Sequence, residues 1–319
     1  MNELFATCAK GAERVLAAEL TSLGAKRIRP LVSGVAFFGD LEVAYRALLW
    51  LRSASRVLLI LDRIAASDAD ELYAGVVALP WEDHVPASGS IAVDARGVND
   101  ELRDTRFIAM RVKDAIVDRL RQHCGERPSV VRDRPDVRIN VALRGKRATV
   151  ALDLSGEPLH KRGYRRAEGV EAPLKETLAA TMILAAGWDK PWHRDSLEHR
   201  GDLGHQEDLE RQDGIGRGWF IDPLCGSGTL AIEAALIALD VAPGIFRDYW
   251  GCTGWLKYDA DLWDSLVEEA DSRAELAAGS EEQRRADGGI PLIYASDIDP
   301  VAVRAAEENA RRAGVLAYI

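Results

Sequence analysis

The segment Trp219-Phe-Ile-Asp222-Pro223-Leu-Cys225-Gly226-Ser227-Gly228-Thr229-Leu-Ala-Ile-Glu233 holds the residues of this chain best placed to do chemistry. An apolar run ends in an acid, a turn with two glycines follows, and a helix-forming stretch resumes at once. Glycine lets backbone approach a ligand with no Cβ in the way. Free N–H groups at a helix start favour a negative group, here a carboxylate. The run Gly226-Ser-Gly228-Thr-Leu-Ala231 also satisfies the looser dinucleotide pattern G-x-G-x-x-A, so the turn alone does not choose among adenosyl ligands.

Two further features bear on that choice. Asp222 falls in the last turn of its strand, where a carboxylate would meet an amino group of the ligand. Pro291–Ser296 reads as a second strand, ending in Asp297-Ile-Asp299-Pro300 and followed by a helix over Val301–Ala313. An acid at the tip of the neighbouring strand is where such folds hold a ribose diol. Together these favour S-adenosylmethionine over a nicotinamide, and an NAD-dependent oxidoreductase stays as the alternative. Asp297 follows the glycines by about 70 residues instead of the roughly 20 of a compact dinucleotide fold, so an insertion occupies 240–290.

Other reactive types read as bland. Cys225 stands at a helix start, where thiols acidify, yet suits a small turn residue better. Ser227 lacks the Gly-x-Ser-x-Gly frame of a hydrolase nucleophile. The six histidines show no i,i+4 pair, and no metal is expected. Cys8, Cys124, Cys225 and Cys252 lie far apart, suggesting neither zinc nor disulfides and a reducing cytoplasm. Trp250, Trp255 and Trp263, within the insertion, read as a packed cluster rather than base-stacking platforms.

The elements that must position these residues start with a β-α-β-β-α-β series: a strand at 3–7, a helix over 10–23, strands at 27–32 and 34–38, a helix opened by Asp40, and a strand at 55–61. That order predicts a ferredoxin-like unit. Next come a helix near 68–77 capped by Asp68, a strand at Ile91–Ala95, and a helix over about 104–123. The helix carries Phe107, Met110, Val117 and Leu120 at helical spacing. A hairpin turns at Arg144-Gly145-Lys146, its strands alternating apolar and polar. The net charge is −10, yet residues 96–166 hold 18 Lys and Arg against 10 Asp and Glu. Such a local patch is the footprint nucleic-acid binding requires. Residues 155–172 read as a basic linker, a helix follows from Pro173 to about Gly187, and 193–217 reads as a surface loop. No stretch approaches the roughly 18 apolar residues of a membrane span, and the start has no secretion signal.

The segments SGEPLHKRGYR, APLKETLAATMILAAGW, DPLCGSGTLAIEAALIALDVAPG and ASDIDPVAVRAAEENARRAG resemble those of bacterial 23S ribosomal RNA guanine-N2 methyltransferases of the RlmL kind. The resemblance runs over essentially the whole chain. It implies an α/β protein with a ferredoxin-like domain at 1–61, a THUMP RNA-binding domain at 62–156, and the first part of a Rossmann-like class I methyltransferase fold at 157–319. It implies that Asp222, Pro223, Cys225, Gly226, Ser227, Gly228 and Thr229 line the methionine end of S-adenosyl-L-methionine. Asp297 would take its ribose, with Lys175 and Thr177 closing over the same cofactor. It places Arg144, Lys146, Arg147, His160, Lys161, Arg162 and Arg165 toward the ribosomal RNA. The family's Asn-Pro-Pro-Tyr motif, which orients the target amine, does not occur in these 319 residues. The chain therefore reads as truncated before that motif, its catalytic residue unassigned, with a binding module lacking turnover as a further reading.

Overall fold

The sheet of the front part is assembled by one strand longer than the rest. In a computed structural model, which describes residues 1–165, 173–188, 219–279 and 293–319, the chain forms two compact units. One comprises residues 1–161 with 247–266, the other residues 162–246 with 267–319.

The first unit begins with β1 (Asn2–Cys8), α1 (Glu13–Ser22), β2 (Lys26–Leu31), β3 (Gly34–Gly39), α2 (Leu41–Trp50) and β4 (Ala54–Ala65), the ferredoxin-like series expected. It continues with α3 (Ala69–Val77), β5 (Ser90–Arg96), α4 (Thr105–Cys124), β6 (Ser129–Val130), β7 (Val137–Arg144) and β8 (Arg147–Asp153). All eight strands join one sheet in the order β2-β3-β1-β4-β8-β7-β5-β6. The joint is β4, which pairs antiparallel with β1 on one edge and with β8 on the other. It runs to Ala65 rather than ending near 61, because an irregularity between Ile60 and Asp62 lets pairing with β8 continue to Arg147.

Aspartates set where helices start. Asp40 accepts from the Val43 N–H, Asp68 from those of Asp70 and Glu71, and Asp104 from that of Arg106. Each such cap contributes about 1 kcal/mol. The inward face of α4 differs from the sequence expectation: Ile108, Val112, Ile116 and Leu120 are buried, while Phe107 is 46% and Met110 60% exposed. The i, i+4 stripe set by Ile108 points Phe107 and Met110 away from the sheet. Arg111 and Arg119 of this helix pair with Asp70 and Glu82, so part of its positive charge is already neutralised.

Residues 155–161 are not a loose linker. The guanidinium of Arg247 donates to the carbonyls of Pro158, Lys161, Ser155 and Glu157, at 2.9–3.2 Å, and lies over the Trp250 ring. Trp250, Trp255 and Trp263 are buried as expected, against the front of the chain: Trp263 meets Tyr45 edge-on, and the Trp255 Nε1–H donates to His84 Nδ1 at 2.9 Å.

The second unit contains α5 (Glu176–Ala185), β9 (Phe220–Asp222), α6 (Thr229–Ala238), β10 (Ile293–Ala295) and α8 (Pro300–Arg312). Between α6 and β10 runs α7 (Ala260–Gly279). Strands β9 and β10 are parallel, with Asp222 opposite Ala295. Helix α6 is buried on almost every side, and Ala231, Ile232 and Leu236 pack with Ile183, Ile293, Ala310 and Val315. This is the start of the Rossmann-like sheet expected. The loop at 193–217 lies outside the described residues, as do 166–172 of the basic stretch. No helix among the described residues is long and apolar enough to cross a membrane.

Candidate functional site

The parallel pairing of β9 with β10 brings two sequence-distant acids to one sheet edge. Asp222 ends β9, and Asp297 follows β10 by two residues. Between them stands the glycine turn, tied to β10 by backbone bonds: the Ser296 N–H donates to the Asp222 carbonyl and the Cys225 N–H to the Ser296 carbonyl, both at 2.9 Å. Asp297 reaches across to accept from the Gly226 N–H at 2.9 Å and from the Asp299 N–H at 3.0 Å.

The two glycines have different work. Gly226 has φ +53°, and a Cβ added there would meet nothing within 4 Å. The turn thus presents bare backbone to open space, as a ligand cradle needs. Gly228 has φ +79°, and an added Cβ would sit 2.9 Å from the Ala306 Cβ of α8. Its role is close packing. On the far side, the Asn309 Nδ2–H of α8 donates to the Ser227 carbonyl at 3.1 Å. The sequence reading missed Asn309; its signal was a lone amide among alanines at helical spacing.

The acids differ in electrostatics. Burial pushes the Asp222 carboxyl above its ordinary range, and the nearby Asp297 charge pushes the same way. Among the described residues Asp222 makes no ion pair, and its Oδ1 accepts only from the Leu224 N–H, at 3.3 Å. Asp297 is held below the usual carboxylate range by the backbone N–H groups of Asp299 and Gly226. The site therefore pairs a firmly ionised acid with one whose charge gains from a cationic neighbour. Burial raises the Cys225 thiol, with Asp222 and Asp297 adding to the effect, opposite to an activated nucleophile.

Other residues singled out in the sequence fall as follows. Pro223 is exposed on the turn, and Ser227, Gly228 and Thr229 are buried at the start of α6. Lys175 is exposed at the N-cap of α5, and Thr177 is buried in its first turn. Arg144, Lys146 and Arg147 are all exposed at the β7–β8 turn of the first unit. His160 is half-buried, and Lys161 is exposed and 3.4 Å from Glu157. Arg162 and Arg165 need correction, because neither stands out toward an RNA. Arg162 is 2% exposed, its Nε 3.6 Å from the Glu233 carboxylate, which also accepts from the Tyr164 hydroxyl at 3.0 Å. Arg165 turns inward, to Thr229 and Glu176.

Comparison with known proteins matches three consecutive family models: an RlmL ferredoxin-like domain over residues 3–58, a THUMP domain over 66–153, and an RMKL-like methyltransferase domain over 216–319. A crystal structure from Listeria monocytogenes, described as a predicted N6-adenine-specific DNA methylase, is 31% identical with a TM-score of 0.78, and covers 98% of this chain and 72% of that one. The chain belongs to the RlmL/RMKL-like methyltransferase family. A second solved structure, SMU.472, described as a putative methyltransferase complexed with SAH, is 30% identical with a TM-score of 0.76, and covers 99% of this chain and 74% of that one. Among curated relatives, the ribosomal RNA large subunit methyltransferase K/L of Syntrophotalea carbinolica is 47% identical over 317 residues, and that of Magnetococcus marinus 44% over 321. These alignments take in 99% and 100% of this chain but 40% of each relative, so the chain spans about two fifths of the length of the curated relatives it matches.

Proposed function

We propose that this chain supplies the RNA-gripping front and the cofactor-binding floor of an S-adenosylmethionine-dependent methyltransferase that modifies a guanine N2 of large-subunit (23S) ribosomal RNA. The observation that carries this reading is the pair Asp222 and Asp297 at adjacent tips of two parallel strands, flanking a turn whose Gly226 faces open space. Bound there, the cofactor supplies a methyl group on a sulfonium, activated for direct transfer to a nucleophile.

The residues of the chain bind and orient. Asp222, buried and without an ion pair among the described residues, suits the cationic amino-acid end of the ligand. Asp297 keeps acceptor capacity on an ionised carboxylate for a ribose hydroxyl while it holds the turn. The N–H groups at the start of α6 suit the ligand's carboxylate. Lys175 and Thr177 flank Glu176, which Arg165 connects to Thr229, so the start of α5 belongs to the same site. A buried acid whose charge gains from a cationic partner favours this ammonium-bearing cofactor over a nicotinamide dinucleotide. The hairpin bases Arg144, Lys146 and Arg147, with His160 and Lys161, serve the RNA, captured largely through its phosphates. The rate is gained by orientation of methyl against amine. A cytoplasmic setting accords with ribosomal RNA as substrate and with four unpaired cysteines.

Calorimetry with S-adenosylhomocysteine tests this. Wild-type chain should bind it, NAD should not compete, and Asp222→Ala should abolish binding. An unchanged affinity in that variant would remove the assignment. Methyl transfer to unmodified ribosomal RNA, assayed with the same chain, separates turnover from binding without turnover.

A further inference from the structure

A cluster of buried charge sits behind the glycine turn, wholly within the second unit. Arg165 organises it. Its guanidinium donates to the Thr229 Oγ1 and to the Leu174 carbonyl, the latter at 3.1 Å, and stands 3.3 Å from the Glu176 carboxylate. Glu176 is 3% exposed, and burial raises its carboxyl while Arg165 lowers it. A carboxylate that far from water persists as an anion only beside a cation, so the two residues hold each other in place. Arg165 thus spends its charge inside the protein and keeps a hydrogen bond for Thr229.

That bond has a directional consequence. Thr229 is the first residue of α6, whose N-cap, Gly228, brings no side chain to the free N–H groups. A hydroxyl has one proton. With its oxygen accepting from Arg165, the Thr229 O–H is left to donate, with the Ser227 Oγ 3.5 Å away at the limit of hydrogen-bond reach and N–H groups beside it that only donate. The start of α6 becomes a set of fixed donors, suited to a carboxylate.

We propose that Arg165 is a positioning residue for the methionine end of the cofactor: through Thr229 it fixes the donors that receive the ligand's carboxylate, with Glu176 neutralising its charge. This rests on the cofactor site proposed above and assigns Arg165 to that site rather than to RNA.

The test is calorimetric, on the full chain, with two probes: S-adenosylhomocysteine, which carries the amino-acid end, and 5′-methylthioadenosine, which lacks it. Arg165→Met should weaken S-adenosylhomocysteine at least tenfold and methylthioadenosine less than twofold. Thr229→Val, which keeps the shape and removes the acceptor, should show the same split. The double variant should bind no worse than the weaker single, and Arg165→Lys should recover part of the loss. Equal loss for both probes would mark Arg165 as merely structural and overturn the proposal; so would an S-adenosylhomocysteine affinity within twofold of wild type. If Arg165→Met loses its melting transition, the Thr229→Val split alone decides by the same criteria. Failure of wild-type chain to bind either probe would instead sink the cofactor site itself.

Discussion

The carboxylate of Asp297 accepts a hydrogen bond from the backbone N–H of Gly226, 2.9 Å away, although 71 positions separate them in sequence. The acid at the tip of β10 thereby sets the shape of the turn that follows β9. Its second oxygen, engaged by the Asp299 N–H, fixes the carboxylate plane. Any ligand held by both acids meets a turn already arranged by one of them.

The two glycines of that turn should respond differently to alanine. Gly226→Ala pays for a left-handed backbone alone, about 1 kcal/mol, because nothing lies within 4 Å of the new methyl. Gly228→Ala adds a clash with Ala306 and should cost roughly 2–4 kcal/mol. Urea unfolding measures both, and S-adenosylhomocysteine affinity should fall at least tenfold in Gly226→Ala, whose methyl would enter the open space proposed for the ligand. Equal stability losses would contradict the division of labour between them.

Stability should depend on pH through His84. Burial lowers this histidine to about 4, with Lys257 pushing the same way, and its Nδ1 accepts from Trp255. The unfolded chain has a histidine near 6.5. Below about 6.5 the unfolded state takes up a proton that the folded state refuses, so stability falls until about pH 4 and then levels with respect to this group. Other groups titrate in the same range, so the readout is the difference between wild type and His84→Gln. That difference should shrink as pH drops from 6.5 to 4. Parallel curves would show that His84 is not neutral in the fold.

RNA capture should rest in part on the β7–β8 turn. Replacing Arg144, Lys146 and Arg147 together by alanine should weaken RNA binding and flatten the slope of log affinity against log salt by about 2, at roughly 0.7 per lost phosphate contact. All three side chains are exposed, so the melting temperature should hardly move. A slope equal to that of wild type would place the RNA elsewhere.

How much of this was legible in the sequence varies by residue. Asp222 and Asp297 were readable because strand-end acids and Gly-rich turns are local patterns, and parallel pairing of consecutive strands is a strong rule. Helices α2 and α3 and their caps, Asp40 and Asp68, were readable for the same local reason. Arg162 and Arg165 were not: in HKRGYR they resemble any basic run, and their partners Glu233, Glu176 and Thr229 lie beyond the reach of local pattern. Phe107 and Met110 sat at helical spacing, yet the spacing does not say which of two stripes turns inward. The destination of the three tryptophans was equally hidden, since Tyr45 and His84 precede them by well over a hundred residues.

The stretch from Arg247 to Leu266 belongs to the compact unit that opens the chain, though it is encoded inside the sequence of the methyltransferase half. The polypeptide accordingly changes unit at three places, and no single cut can sort it into two self-sufficient halves. A fragment starting at Arg162 would drag three indoles away from Tyr45 and His84 into water, and would turn oily and aggregation-prone. Its complement ending at Lys161 would leave a bare apolar scar around Tyr45. Recombination within such a gene is thereby penalised physically, which ties the inheritance of one compact unit to that of the other.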